Sequence, residues 1–340
     1  MEPIELYRYQ TTGLVGAGAD YEVRAAIELQ TGRHVVLKRP VPQMIRRHLH
    51  AGIEARTERT LQVYREVSAS TPTLIPIVGY TERVNHDAYF GDALGQPYRV
   101  IVEERAVGIP LVADLKARFT GIPIGVGQNL FALFPLMQPP LAPPFAIQQQ
   151  LLDLQEAFGR AGYVLLDLRP QNVFYQPASG RITVVDCGAV VAIGAVSPRP
   201  GRPAPDIHDF YLEMLKFYTT SQQPPLQAHA YRDPHDIGPI VNFTGELERM
   251  ARGFQAVPER LLQETALTLI SQVLQRAYVA SADFRRDFGA YLQAVADAHQ
   301  ALPNLVAAQQ AWRAALTWLR TDYWQRYRFH AETELAAFES

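Results

Sequence analysis

Apolar and polar positions change their rhythm twice along the chain. Up to Lys38, β-prone runs (Leu6 to Val15, Tyr21 to Leu29, His34 to Lys38) are broken by Gly13, Gly16, Gly18 and Thr31-Gly32, the pattern of an antiparallel meander. From Arg46 to Val67 the period lengthens to that of a helix, with Ile53, Leu61 and Tyr64 as its buried stripe. Strands are predicted again over Leu74 to Tyr80 and Tyr98 to Glu103, separated by a polar segment from Asn85 to Gly95. Pro135 to Pro144 predicts irregular backbone, because proline removes a donor and fixes φ. Ala146 to Arg160 sets Ile147, Leu151, Leu154 and Phe158 on one helical face, and Gly162 closes the helix. Tyr163 to Leu166 and Arg181 to Asp186 read as the strands of a short hairpin. Beyond Pro205, helices are predicted over 206–218, 257–280, 283–299 and 303–330, with a loop from Gln222 to Pro239. The pattern predicts an α+β chain, β-rich with one helix over 1–104 and helical with a small hairpin over 105–340.

Composition narrows the function classes. Hydrophobic residues make up 48% of the 340, ample for a packed core. With 32 basic against 34 acidic side chains there is no basic footprint for nucleic acid and no polybasic membrane anchor. The single cysteine, Cys187, excludes an internal disulfide and a multi-cysteine zinc site, and fits a reducing cytoplasm. Acids at Glu2 and Glu5 argue against a signal peptide, and the apolar runs Leu130 to Met137 and Ala189 to Val196 are too short to span a bilayer. A soluble cytoplasmic protein without a nucleic-acid or membrane partner is expected. His34, His48, His50, His208, His229 and His235 lack the spacing of a metal site. Trp312, Trp318 and Trp324 fall six apart on the last helix, which is expected either to pack on the helical portion or to meet a protein partner.

Three segments carry candidate chemistry. Gly16-Ala17-Gly18, between two strands, lets backbone approach a phosphate or simply turns a hairpin. Lys38 ends the apolar strand Val35-Val36-Leu37, where an ammonium needs anionic company. The candidates are a nucleotide phosphate and a carboxylate of the following helix, Glu58 first and Glu54 second. The third is Asp167-Leu168-Arg169-Pro170-Gln171-Asn172, followed by Asp186-Cys187-Gly188.

This last segment resembles the protein-kinase catalytic loop H-R-D-L-x-x-x-N with its D-F-G partner. The resemblance covers residues 13 to about 218 and implies a bilobal protein-kinase-like fold binding ATP and Mg²⁺. Carried over, Asp167 is the catalytic base, Lys38 is the lysine that anchors the nucleotide phosphates, and Arg169 stands where a lysine would contact the transferring phosphate. Asn172 and Asp186 are the metal ligands. Gly16, Gly18 and Val23 belong to the phosphate-covering loop, and Glu58 is the partner of Lys38. Val100 to Ala106 resembles the hinge strand whose backbone meets adenine, which brings Glu104 and Ala106 into the cofactor site. Asp206-Ile207-His208-Asp209 resembles the start of the long buried helix whose first Asp steadies the catalytic loop, and both Asp206 and Asp209 fit that role.

The departures keep two functions open. Leu165 and Leu166 stand in place of the His-Arg before the base, Cys187 in place of the phenylalanine, and Tyr21 in place of the third loop glycine. Only 20 positions separate Asp186 from Asp206, with Ser197 the single hydroxyl between them, and no peptide-docking motif is evident. One expectation is an ATP- and Mg²⁺-dependent phosphotransferase of atypical protein-kinase character, acting on a hydroxyl of a protein or small molecule. The other is a pseudokinase serving as an interaction scaffold, with or without nucleotide.

Overall fold

The computed structural model describes residues 3–112, 125, 127–137, 143–196, 204–224 and 235–318. The protein is mixed α/β, β-rich in its N-terminal region and helical in its C-terminal region. It divides into two compact units, Met1–Ala106 with Val185–Val190, and Val107–Val184 with Val191–Ser340.

The first unit is built on strands β1 (Tyr9–Ala17), β2 (Tyr21–Glu28), β3 (His34–Pro40), β4 (Ile77–Tyr80) and β5 (Ile101–Glu104). They form one antiparallel sheet in the order β1-β2-β3-β5-β4. Side chains alternate across a pleated strand. Val35, Leu37 and Ala26 therefore enter a core with Leu6, Tyr9, Tyr98, Val100 and Val102, while Lys38 belongs to the opposite face. Arg39, on the core face, is buried by neutralisation: it pairs with Glu22 and Asp92, and Phe90 lies 4.0 Å from its guanidinium. The helix expected over Arg46 to Val67 begins only at Ala51, as α2 (Ala51–Val67); a separate short α1 (Pro42–Arg46) precedes it, and the two are parted where His48 takes a left-handed φ of 57°. The stripe of α2 is buried at Ile53, Leu61 and Tyr64, as its spacing predicts. A short α3 (Asp87–Phe90) lies in the polar segment before β5.

The second unit opens with β6 (Ile109–Pro110) and a buried π-helical stretch, Gln128–Leu133. Helix α4 (Ala146–Arg160) has its predicted bounds and ends before Gly162, at φ 84°. The predicted hairpin is differently paired. Tyr163 and Val164 (β7) bond to Val191–Ala192 (β10), whereas Arg181–Val184 (β9) pairs with Val173–Gln176 (β8), which in turn bonds to β6. The alternating run Val173-Phe174-Tyr175-Gln176, with Val173 and Tyr175 buried, is the adjacent partner, and it out-competes the more distant Tyr163 strand.

Helices α5 (Ile207–Tyr218), α6 (Phe243–Gln255), α7 (Arg260–Leu274), α8 (Ser281–Gln300) and α9 (Leu305–Trp318) follow. α6 was not predicted: charges and two glycines mask the apolar stripe of Leu247, Met250 and Phe254. Trp312 is fully buried, its ring 5.7 Å from that of Phe134, so the face of α9 bearing it packs within this unit. Trp324, Ser197 and His229 lie outside the described residues.

Candidate functional site

In the first unit, strand register gathers the predicted phosphate-binding residues. Gly16 faces Val23, Val23 faces Lys38 and Lys38 faces Ile101, one row across β1, β2, β3 and β5. Cross-strand partners share a face of the sheet. At the end of the row the β1–β2 turn is closed by the Gly18 N–H donating to the Tyr21 carbonyl at 2.9 Å. A Cβ at Gly16 would meet nothing within 4 Å, and one at Gly18 only the Tyr21 carbonyl at 3.9 Å, so packing does not require glycine at either position. The turn is tied to α2 by an Asp20–Arg56 ion pair and by Tyr21, whose hydroxyl is 2.6 Å from the Thr57 hydroxyl.

Lys38 is buried, and its ammonium lies 3.3 Å from Glu103 Oε1 and 3.9 Å from Asp186 Oδ1, with the Tyr21 ring 5.6 Å away. Burial alone would lower its pKa, but Asp186 and Glu103 together push it above the usual lysine range. The expected partner is thereby corrected. Glu58 accepts from Arg99 Nη1 at 2.8 Å, and Glu54 accepts from the Arg99 backbone N–H at 2.9 Å and from its guanidinium at 3.3 Å. Glu54 and Glu58 are both engaged by the segment before β5, and Glu103 takes the place assigned to them.

Asp186 Oδ1 also accepts from the Gly188 N–H at 2.9 Å, closing its own turn. Burial beside Asp186 pushes the Cys187 thiol up to about 12 and keeps it neutral. Glu104 ends β5 with its N–H donated to the Pro76 carbonyl at 2.9 Å and its carboxylate 3.3 Å from Arg33. Ala106 is the last residue of the unit before the chain passes to Val107.

In the second unit Asp167, Arg169 and Asn172 converge. Asp167 adopts a left-handed φ of 65°, a conformation that persists in a non-glycine residue only where its surroundings hold it. The restraints are specific. Asp167 and Leu168 donate their N–H groups to Glu213 Oε1 and Oε2 at 3.0 and 2.8 Å, and the Tyr218 hydroxyl donates to the Leu168 carbonyl at 2.5 Å. Asn172 Nδ2 donates to the Asp167 carbonyl at 2.9 Å, and Pro170–Asn172 makes a single 3₁₀ turn. Arg169 donates to both carboxylate oxygens of Asp167, at 2.5 and 3.3 Å.

Asp206 and Asp209 do not steady this loop. Asp206 caps α5 by accepting from the His208 N–H at 2.8 Å, Asp209 accepts from the Asp206 N–H at 2.9 Å, and Arg276 pairs with both. The role falls to Glu213, one helical turn beyond Asp209, whose carboxyl is pushed up to about 7, chiefly by burial. Two residues that matter here, Glu103 and Glu213, were thus not read from the sequence. A signal existed for each: Glu103 follows Ile101 at the two-residue period of a strand face, and Glu213 follows Asp209 at the four-residue spacing of a helix face.

Among the described residues no cluster of three or more His, Cys, Asp or Glu is arranged to hold a metal ion. A hard divalent cation such as Mg²⁺ commonly takes only one or two carboxylates, with phosphates and water completing its shell. Asp186, with 35% of its side chain exposed, suits that chemistry, and so does the amide oxygen of Asn172, whose nitrogen is bonded to Asp167. Among the described residues no helix is long and apolar enough to cross a membrane. No protein-family model matches the chain and no curated protein matches it, so the chemistry of the site is read from its own geometry.

Proposed function

We propose that this chain is an ATP- and Mg²⁺-dependent phosphotransferase with a bilobal, protein-kinase-like fold, acting on a hydroxyl of a protein or small molecule. The observation that carries the reading is the Lys38 ammonium beside Asp186, in register with Gly16 and Val23. A buried cation, a half-buried carboxylate and a glycine turn whose Cβ space stays open are what a polyphosphate with its metal would need. Asp167 would accept the proton of the substrate hydroxyl as its oxygen bonds to the γ-phosphorus and the bond to the β-phosphate oxygen breaks. Arg169 must first release the carboxylate, and the transferring phosphate, with its negative charge, is the natural competitor for that guanidinium. Asp186 and Asn172 are the side chains assigned to Mg²⁺, which would neutralise the phosphates.

One observation favours a second reading. Both oxygens of Asp167 are occupied by Arg169, and a base held in this way throughout its working cycle would leave a nucleotide-binding or nucleotide-free scaffold, a pseudokinase. Calorimetric titration with a non-hydrolysable ATP analogue, with and without Mg²⁺ and beside Asp186→Asn, tests the nucleotide site. Metal-dependent binding lost in the variant is expected, and no binding at millimolar nucleotide would reject the site. Phosphate release or autophosphorylation abolished by Asp167→Asn then separates enzyme from scaffold.

A further inference from the structure

The sequence offers Lys38 two carboxylates, Glu58 and Glu54 on α2, and the structure adds a third, Glu103 on β5. The two on α2 are held by Arg99. Glu103 is 5% exposed and has Lys38 as its ion-pair partner. The strand register explains why. Lys38 faces Ile101 and Val36 faces Glu103, so Glu103 is the diagonal neighbour of Lys38 on one face of the sheet. Diagonal neighbours lie within reach of long side chains. The ammonium and its carboxylate are therefore carried by two adjacent, hydrogen-bonded strands, and no part of α2 enters the pair.

We infer that Glu103 is the positioning residue that fixes the Lys38 ammonium, and that β3 and β5 hold the lysine in place independently of helix α2. What the lysine is placed for rests on the phosphotransferase reading, but the positioning itself does not. A displacement of α2 would disturb the Asp20 and Tyr21 contacts at the glycine turn, including the Tyr21 ring beside Lys38, and leave the Lys38–Glu103 ion pair intact. Control of this site through α2 would then act on the turn and not on that pair.

The test is the rate at which Lys38 is acylated by a small amine reagent at pH 9, read by peptide mass spectrometry on the full chain. Glu103→Gln is expected to raise that rate on the order of tenfold or more, since an amine no longer held against its buried carboxylate is free to swing out to the reagent. Glu58→Gln is expected to leave it at the wild-type rate. An unchanged rate in Glu103→Gln, or an equal rise in Glu58→Gln, would overturn the inference. Should Glu103→Gln fail to fold, Glu103→Asp reads the same contact with a carboxylate one methylene shorter. A second arm compares the Kd of an ATP analogue with that of adenosine. Glu103→Gln is expected to weaken the triphosphate about tenfold, or about 1.4 kcal/mol, and to spare adenosine. Equal weakening of both would assign Glu103 a merely structural role. If wild-type protein binds neither ligand, the phosphotransferase reading fails alone, and the acylation rates still decide whether Glu103 holds the lysine.

Discussion

The two regions that carry the candidate chemistry hold their key residues by opposite means. Lys38 is placed by side chains: a buried ammonium sits against Glu103 and Asp186, and the strand register sets the distances. Asp167 is placed through its main chain, because Glu213 and Tyr218 bind the peptide groups on either side of the strained residue and leave its carboxylate to Arg169. A site held by paired charge fails when one charge is removed, because the other stays buried and uncompensated. A site held by backbone hydrogen bonds fails more gently, at the cost of unsatisfied amides.

The largest expected effect follows from that difference. Lys38→Met leaves Glu103 buried without a cation and should cost about 3–5 kcal/mol of stability in urea unfolding. Adding Glu103→Leu should recover most of the loss, since an apolar pair suits the same buried volume. A loss in the single variant below about 1 kcal/mol would mean that Glu103 already carries a proton in the folded protein, consistent with burial raising its pKa. The contrast between the regions would then collapse.

A smaller effect is expected in the second unit. Glu213→Leu leaves the N–H groups of Asp167 and Leu168 without their acceptor and should cost about 2 kcal/mol, while Glu213→Gln keeps one acceptor oxygen and costs less. The same residue gives the region a pH signature. Its folded pKa, about 7, lies above the ordinary 4.5, so between these values the folded protein retains a proton that the unfolded chain has released. Stability should fall as pH rises through that window, with a slope of up to about 1.4 kcal/mol per pH unit, and Glu213→Gln should flatten it. Lys38 also has a raised pKa, but a lysine's contribution persists through neutrality and is lost only in strong alkali. Between pH 5 and 8 Lys38 contributes no slope, whereas buried His299, pushed down to about 4, gives one of opposite sign below its ordinary 6.5, so Glu213 is read from the difference between wild type and Glu213→Gln in thermal unfolding. Superimposable profiles of the two would show that the two N–H donors to Glu213 outweigh burial.

The sequence disclosed the parts whose signals are local. Strand periodicity and turn glycines gave the meander, and Ile147, Leu151, Leu154 and Phe158 gave α4 its bounds. The resemblance drew attention to Asp167, Asn172 and Asp186, and spacing alone was enough to flag Lys38. What escaped depends on register or on competition. Glu103 and Glu58 are both acids within reach of a strand-end lysine on paper. Only the pairing of β3 with β5, and the prior claim of Arg99 on Glu58, decides between them. Asp206, Asp209 and Glu213 pose the same problem on α5. A helix N-terminus takes the first two for capping and leaves the acid one turn further on to meet the loop. The hairpin was mispaired because a strand's partner is chosen among all β-prone runs, and Val173–Gln176 is nearer in the chain than Tyr163–Val164.

The smallest expected effect sharpens the comparison from the side of the glycine turn. Gly16 lies in a strand, outside the left-handed region, with open space where a Cβ would point. Replacing such a glycine by alanine restricts the unfolded chain more than it disturbs the fold, so Gly16→Ala should raise stability by roughly 0.5 kcal/mol. The glycine leaves open a space that the protein's own packing does not use. If a phosphate passes close over the turn, the added methyl group should weaken the ATP analogue several-fold while unfolding shifts slightly upward. Opposite signs in the two measurements would place the ligand at the end of the Gly16–Val23–Lys38 row. A gain in stability with unchanged affinity would instead make the glycine incidental and leave Lys38 and Asp186 to hold any polyphosphate by charge alone.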